Sequence, residues 1–193
     1  MVKSGILTLR LFRASLPLLL LTIGAISVQA MGHGWRSYRE TVPTQKPALE
    51  GLVIAIADGD TLDVLDDAKT SHRIRLLGID SPERAQPFGK VARQALRERV
   101  IGKRVKVFVR SKDRYGRALG KVLLEGTDLN LEMVREGLAW HYKQYAEDQF
   151  PGDRGLYAQA ESKARSSRVG LWAYPDPIQP WVWRRSHPRR RGP

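Results

Sequence analysis

Apolar and polar positions repeat every two residues through much of the chain, and three times the repeat lengthens to helical spacing. Leu52-Val53-Ile54-Ala55-Ile56-Ala57 is an apolar run ending in Asp58-Gly59, which predicts a strand followed by a hairpin turn. Thr61 to Leu65 alternates Leu62 and Val64 with less apolar neighbours, and Asp66-Asp67-Ala68-Lys69 turns the chain into a third strand at His72–Leu77. Phe88, Val91, Ala92, Ala95, Leu96 and Val100 then recur at helical spacing. Lys90, Arg93, Arg97 and Glu98 fall mostly on the other face, and Gly102 stops the helix. Val105, Val107 and Val109 mark a fourth strand, Tyr115-Gly116 a turn, and Ala118 to Leu124 a fifth strand. Leu129 to Glu136 predicts a short helix closed by Gly137, and Leu156 to Ser167 a third helix ended by Gly170.

Three strands, a helix, two strands and two helices define an α+β fold. A five-stranded barrel of the oligonucleotide-binding type (OB-fold), with three packed α-helices, satisfies that order. A hydrophobic content of 42% is enough to fill such a core. The barrel and its helices account for residues 48–174, preceded by a polar linker at 31–47 that holds Gly32, Gly34, Pro43 and Pro47.

Charge refines the ends of the chain. The 33 Lys and Arg exceed the 20 Asp and Glu, for a net +13. Lys3, Arg10 and Arg13 precede an apolar stretch, Leu16 to Val28, and Val28-Gln29-Ala30 ends it with small side chains. This predicts an export signal at 1–30, with an uncleaved N-terminal membrane anchor as the alternative. Arg184, Arg185, Arg189, Arg190 and Arg191 lie in a Pro/Arg-rich basic tail at 175–193, which reads as flexible. Such a tail suits nucleic acid or an anionic envelope surface, or serves only for solubility. The absence of cysteine excludes disulfides, thiolate metal sites and cysteine nucleophiles. His33, His72, His141 and His187 show no metal-ligand spacing.

The candidate chemistry lies where predicted strands end. Asp58-Gly59-Asp60-Thr61 places carboxylates at a turn, and Ile79-Asp80-Ser81-Pro82-Glu83 is a second acidic point. Each alone is ordinary turn chemistry. If their strands are barrel neighbours, Asp60 and Asp80 can converge on a hard cation that prefers oxygen. Arg75 on the third strand and Arg117 after Asp113-Arg114-Tyr115-Gly116 add guanidinium forks suited to phosphate oxygens.

In this order, Asp58-Gly59-Asp60-Thr61, Arg75-Leu76-Leu77-Gly78-Ile79-Asp80-Ser81-Pro82-Glu83 and Asp113-Arg114-Tyr115-Gly116-Arg117 resemble the motif series of the staphylococcal nuclease (thermonuclease) family. Val134-Arg135-Glu136-Gly137-Leu138-Ala139 and Gly170-Leu171-Trp172 continue the resemblance, which covers roughly residues 50–173. It implies a Ca²⁺-dependent phosphodiesterase. Asp60 and Asp80 would be carboxylate ligands, and the Ser81 carbonyl a further ligand where the family usually has Thr. Glu83 would be the general base, and Arg75 and Arg117 the phosphate grip. Tyr115 matches a tyrosine near the bound nucleotide, and either Tyr142 or Tyr145 supplies a stacking wall or simply packs near a helix end. The segment between Glu83 and Phe88 is shorter than the mobile loop of the staphylococcal enzyme.

Taken together, these readings predict an exported, single-domain monomer that cuts DNA and RNA, favouring single strands and leaving 3′-phosphorylated products by 5′ P–O cleavage. The competing readings are a non-catalytic nucleic-acid-binding module on the same barrel and a polyanion-binding envelope protein driven by its tail.

Overall fold

The computed structural model describes residue 43 and residues 45–188. The predicted export signal, most of the predicted linker and the last five residues of the tail lie outside the described residues.

Five strands close a barrel. They are β1 (Leu49–Asp58), β2 (Thr61–Leu65), β3 (Ser71–Leu76), β5 (Arg104–Lys112) and β6 (Ala118–Leu124), with β4 (Ile79–Asp80) between β3 and the first helix. The order β3-β2-β1-β5-β6 is antiparallel throughout, and a parallel β3–β6 pairing completes the ring. Helix α1 (Gly89–Val100) buries Ala92, Leu96 and Val100, one helical turn apart, against the barrel core. A short strand, β7 (Thr127–Asp128), leads directly into α2 (Leu129–Arg135), whose first turn is capped by the Asp128 carboxylate accepting from Leu131 N–H at 3.1 Å. Strand β8 (Trp140–His141) pairs with β4, and α3 (Asp153–Ser166) follows.

The predicted α+β barrel and its three helices are therefore present, and two local departures have clear causes. Strand β1 reads as continuously apolar, yet Val53 and Ile56 are buried whereas Leu52 and Ile54 are exposed. Register shifts on both sides of Ala55–Ile56 allow residues three apart to face inward, as a β-bulge does. The chain also adds a fourth helix, α4 (Pro180–Ser186), inside the segment predicted to be a flexible tail. Proline at its first turn suits helix entry. Trp181 anchors it, meeting Trp140 edge-on at 5.8 Å and stacking on Tyr142 at 5.1 Å.

Two buried polar groups hold the barrel to its helices. Asn130 of α2 donates to the Leu77 and Gly120 carbonyls, both at 3.0 Å, and accepts from Val122 N–H at 3.1 Å. Lys121, at the centre of otherwise apolar β6, is only 1% exposed. Its ammonium lies 2.5 Å from Asp153 and 3.4 Å from Asp128, and the Tyr157 hydroxyl also donates to Asp128.

Candidate active site

The β2–β3 register sets the site in place. Thr61 pairs with Arg75, so Asp60, one residue earlier in the β1–β2 turn, lies beside the end of β3. The Arg75 guanidinium bridges the two acids: Nη1 is 3.1 Å from Asp60 Oδ2, and Nη2 is 2.9 Å from Asp80 Oδ1. Its Nη1 also donates to the Leu76 and Ile79 carbonyls, at 3.0 and 2.9 Å. The hydrogen bonds to Leu76, Ile79 and Asp80 use three of the five guanidinium N–H donors.

Asp60 is further fixed by Ser81 N–H at 2.7 Å and by the Thr61 hydroxyl at 3.1 Å. Burial pushes its carboxyl well above the ordinary range, against the pull of Arg75. Asp80 is 1% exposed and sits on β4, which the pairing with Trp140–His141 holds in place. Glu83 follows on a short loop. Its N–H donates to Gln86 Oε1 at 3.0 Å, and its carboxylate accepts from Arg184 Nη1 at 2.9 Å.

Gly59 is needed for close approach. The Asp-Gly pair predicts a glycine with turn geometry, but Gly59 is not among the residues of positive φ. Instead a Cβ there would lie 2.7 Å from the Ala92 Cβ and 2.8 Å from the Ser81 Cβ. The missing side chain lets the Asp60 turn sit directly on α1 and on the Asp80–Ser81 segment. Gly59→Ala is expected to cost about 1–3 kcal/mol in urea unfolding, as overpacking does. It also moves Asp60 away from Ser81, which a lowered turnover of the still-folded variant will report.

The structure thus brings Asp60, Asp80, Ser81, Glu83 and Arg75 together. Arg117 is placed differently. Its Nε donates to Asp113 Oδ2 at 2.7 Å, and the backbone N–H groups of Tyr115 and Arg117 also donate to Asp113. It lies two residues before Leu119, the β6 partner of Arg75, and so on the neighbouring strand's approach to the site. Tyr115 is 68% exposed in the same turn, with its hydroxyl accepting from Arg114. Tyr142 follows β8, its N–H bonded to the Gly78 carbonyl at 2.8 Å, and so lies close to Asp80. Tyr145 meets it edge-on at 5.0 Å and is more exposed. Burial, then the Asp80 charge, raises the Tyr142 hydroxyl's pKa.

Sequence reasoning missed Arg184. Its fork donates to both Asp80 oxygens, at 3.1 and 2.7 Å, as well as to Glu83. Burial opposes its charge, but these bonds outweigh burial and raise its pKa. A signal was present: Trp181 and Trp183 are out of place in a merely solubilising tail, which is normally poor in aromatics.

Asp60 and Asp80 are oxygen donors of the kind a hard divalent cation prefers. Here both carboxylates face guanidinium groups, Arg75 on each and Arg184 on both Asp80 oxygens. Among the described residues no three His, Cys, Asp or Glu side chains form a cage for a metal ion.

This geometry accords with what the chain is similar to. Residues 73–174 match the family described as "Staphylococcal nuclease homologue". An "Uncharacterized endonuclease" of Haemophilus influenzae is 42% identical over 133 residues, covering 69% of this chain and 71% of the relative. The "Micrococcal nuclease" of Shigella flexneri is 42% identical over 145 residues, covering 70% and 80%. A staphylococcal-like nuclease of Arabidopsis thaliana is 46% identical over 114 residues, covering 59% of this chain and 33% of its own length. The chain belongs to the staphylococcal nuclease family. Its match to the family begins after Asp60, which the β2–β3 register nonetheless delivers to the site.

Proposed function

We propose that this nuclease hydrolyses phosphodiester bonds of DNA and RNA with Ca²⁺, favouring single strands, after export by the segment at 1–30. The observation that carries the reading is the convergence of Asp60 and Asp80 on Arg75, with Glu83 on the adjoining loop. Asp60, Asp80 and the Ser81 carbonyl would hold the ion, which supplies Lewis acidity and orients the phosphate when bound. Glu83 accepts a proton from the attacking water as its oxygen bonds to phosphorus. The P–O5′ bond then breaks, O5′ takes up a proton, and the phosphate stays on the 3′ side. The Arg75 and Arg117 guanidinium groups bind the non-bridging oxygens, where negative charge grows. Tyr142, beside Asp80, and Tyr115, beside Arg117, are the surfaces for the flanking sugar and base. The enzyme acts as a monomer, and the basic residues after Ser186 add non-specific attraction to nucleic acid or an anionic envelope.

The test uses the purified protein on single- and double-stranded DNA and on RNA, with Ca²⁺, Mg²⁺ or a chelator. Release of 3′-phosphorylated products with Ca²⁺, abolished by the chelator, is the expected result. Binding without cleavage would favour the non-catalytic module. Arg75→Ala and Arg117→Ala are each expected to slow cleavage by ~10²–10³-fold, the scale of losing one donor to a developing charge. Full turnover in both would remove them from the phosphate grip.

A further inference from the structure

The segment after Ala173 touches the candidate site at several points. Gln86 links the two: its Oε1 accepts from Glu83 N–H at 3.0 Å, and its Nε2 donates to the Ile178 carbonyl at 2.6 Å. Tyr174 meets Phe88, the residue just before α1, edge-on at 5.5 Å. Trp181 stacks on Tyr142 at an interplanar angle of 15°. One helical turn on, Arg184 forks onto Asp80 and Glu83.

The geometry points to Arg184 as a positioning residue: its guanidinium fixes the Asp80 and Glu83 carboxylates relative to each other, making residues 174–186 a wall of the active site. The proposal rests on the reading of Glu83 as the general base.

The physical need is specific. Glu83 lies on a short loop with no strand of its own, so side-chain hydrogen bonds, not a sheet ladder, set where its carboxylate sits. A planar fork that binds both oxygens of Asp80 and one of Glu83 selects a single arrangement, which a point-charge ammonium does less well. Groups hydrogen-bonded to a ligating or reacting carboxylate commonly matter by ~10–100-fold in affinity or activity. Arg184 is 41% exposed, so water reaches its outer edge while its inner edge is committed to the acids. Gln86 and Trp181 hold the chain just before this contact, at Ile178 and at the start of α4, and α4 carries Arg184 on the same face as Trp181.

The experiment compares Arg184→Ala, Arg184→Lys, Glu83→Gln and the Arg184→Ala/Glu83→Gln double variant in the full chain, on single-stranded DNA with Ca²⁺. The expected loss for Arg184→Ala is ~10²-fold in kcat, as for a misplaced catalytic group, with a smaller change in KM. Millimolar guanidinium should restore part of that rate, whereas Arg184→Lys recovers little of it. In the Glu83→Gln background the Arg184→Ala change should add almost nothing, since residues acting as a unit are non-additive. Calcium binding by calorimetry should hold or weaken. An unchanged rate in Arg184→Ala overturns the proposal. So does a faster rate with tighter Ca²⁺ binding, which would make α4 a competitor for the cation site. Wild-type turnover in Glu83→Gln would instead overturn the general-base reading on which the proposal rests.

Discussion

Glu83→Gln lowers turnover on single-stranded DNA by ~10²–10⁴-fold, the range associated with general-base catalysis, while the melting temperature stays near that of the wild type. The substitution keeps the size and polarity of the side chain and removes its ability to take a proton. The loop itself has other supports that the change leaves alone. Glu83 N–H bonds to Gln86, the Gln86 N–H bonds to the Glu83 carbonyl at 2.8 Å, and Gly89 N–H bonds to the Gln86 carbonyl at 3.0 Å. Gly89 is required there, because a Cβ would lie 1.9 Å from the Glu83 carbonyl oxygen. Steady-state rates with a matched unfolding curve separate the two effects. Turnover within a few-fold of wild type would falsify Glu83 as the base.

The second large effect is on stability. Lys121→Met removes the cation from a buried cluster and leaves Asp153 and Asp128 without it. Breaking a buried pair in this way costs about 3–5 kcal/mol, because the remaining charge is uncompensated. The loss depends on pH with a definite sign. Burial pushes the Asp153 carboxyl up to about 6, against the pull of Lys121. A carboxyl whose folded pKa lies above its unfolded value costs stability as it ionises. That cost grows as pH climbs from about 4 to about 6. Without Lys121 the acids hold protons more tightly still, so the variant's deficit is largest near pH 7.5 and shrinks toward about pH 5. Urea unfolding of both proteins at the two pH values checks this. A deficit that grows toward acid pH would rule out the account.

Most of the fold was legible because its elements follow simple periods. Leu62 and Val64 alternate inward on β2, and Ala92, Leu96 and Val100 lie one turn apart on α1. The ordered motifs also placed Asp60, Arg75, Asp80 and Glu83 in one site, and the structure brings these four together. Arg117 was located only as far as its turn; its pairing with Asp113 depends on how that turn folds. The bulge in β1 was not legible, since an unbroken apolar run carries no mark of where a register shift falls. Lys121 in β6 also gave no sign of its partner, because Asp153 lies 32 residues away.

The sequence by itself determined the barrel-and-helix plan and pointed to Asp60, Arg75, Asp80 and Glu83 as one candidate site. Local periodicity and motif order are written in neighbouring residues, and backbone hydrogen bonding turns them directly into strands and helices. Only the tertiary structure decided that Gly59 is there for close packing on α1, and that Lys121 finds acids inside the core. It also turned part of the basic tail into helix α4, with Arg184 on Asp80 and Glu83. Each of these depends on groups distant in sequence meeting in a buried or half-buried space. There, steric exclusion and the cost of an unpaired charge select the partner, and neither acts until the chain has folded.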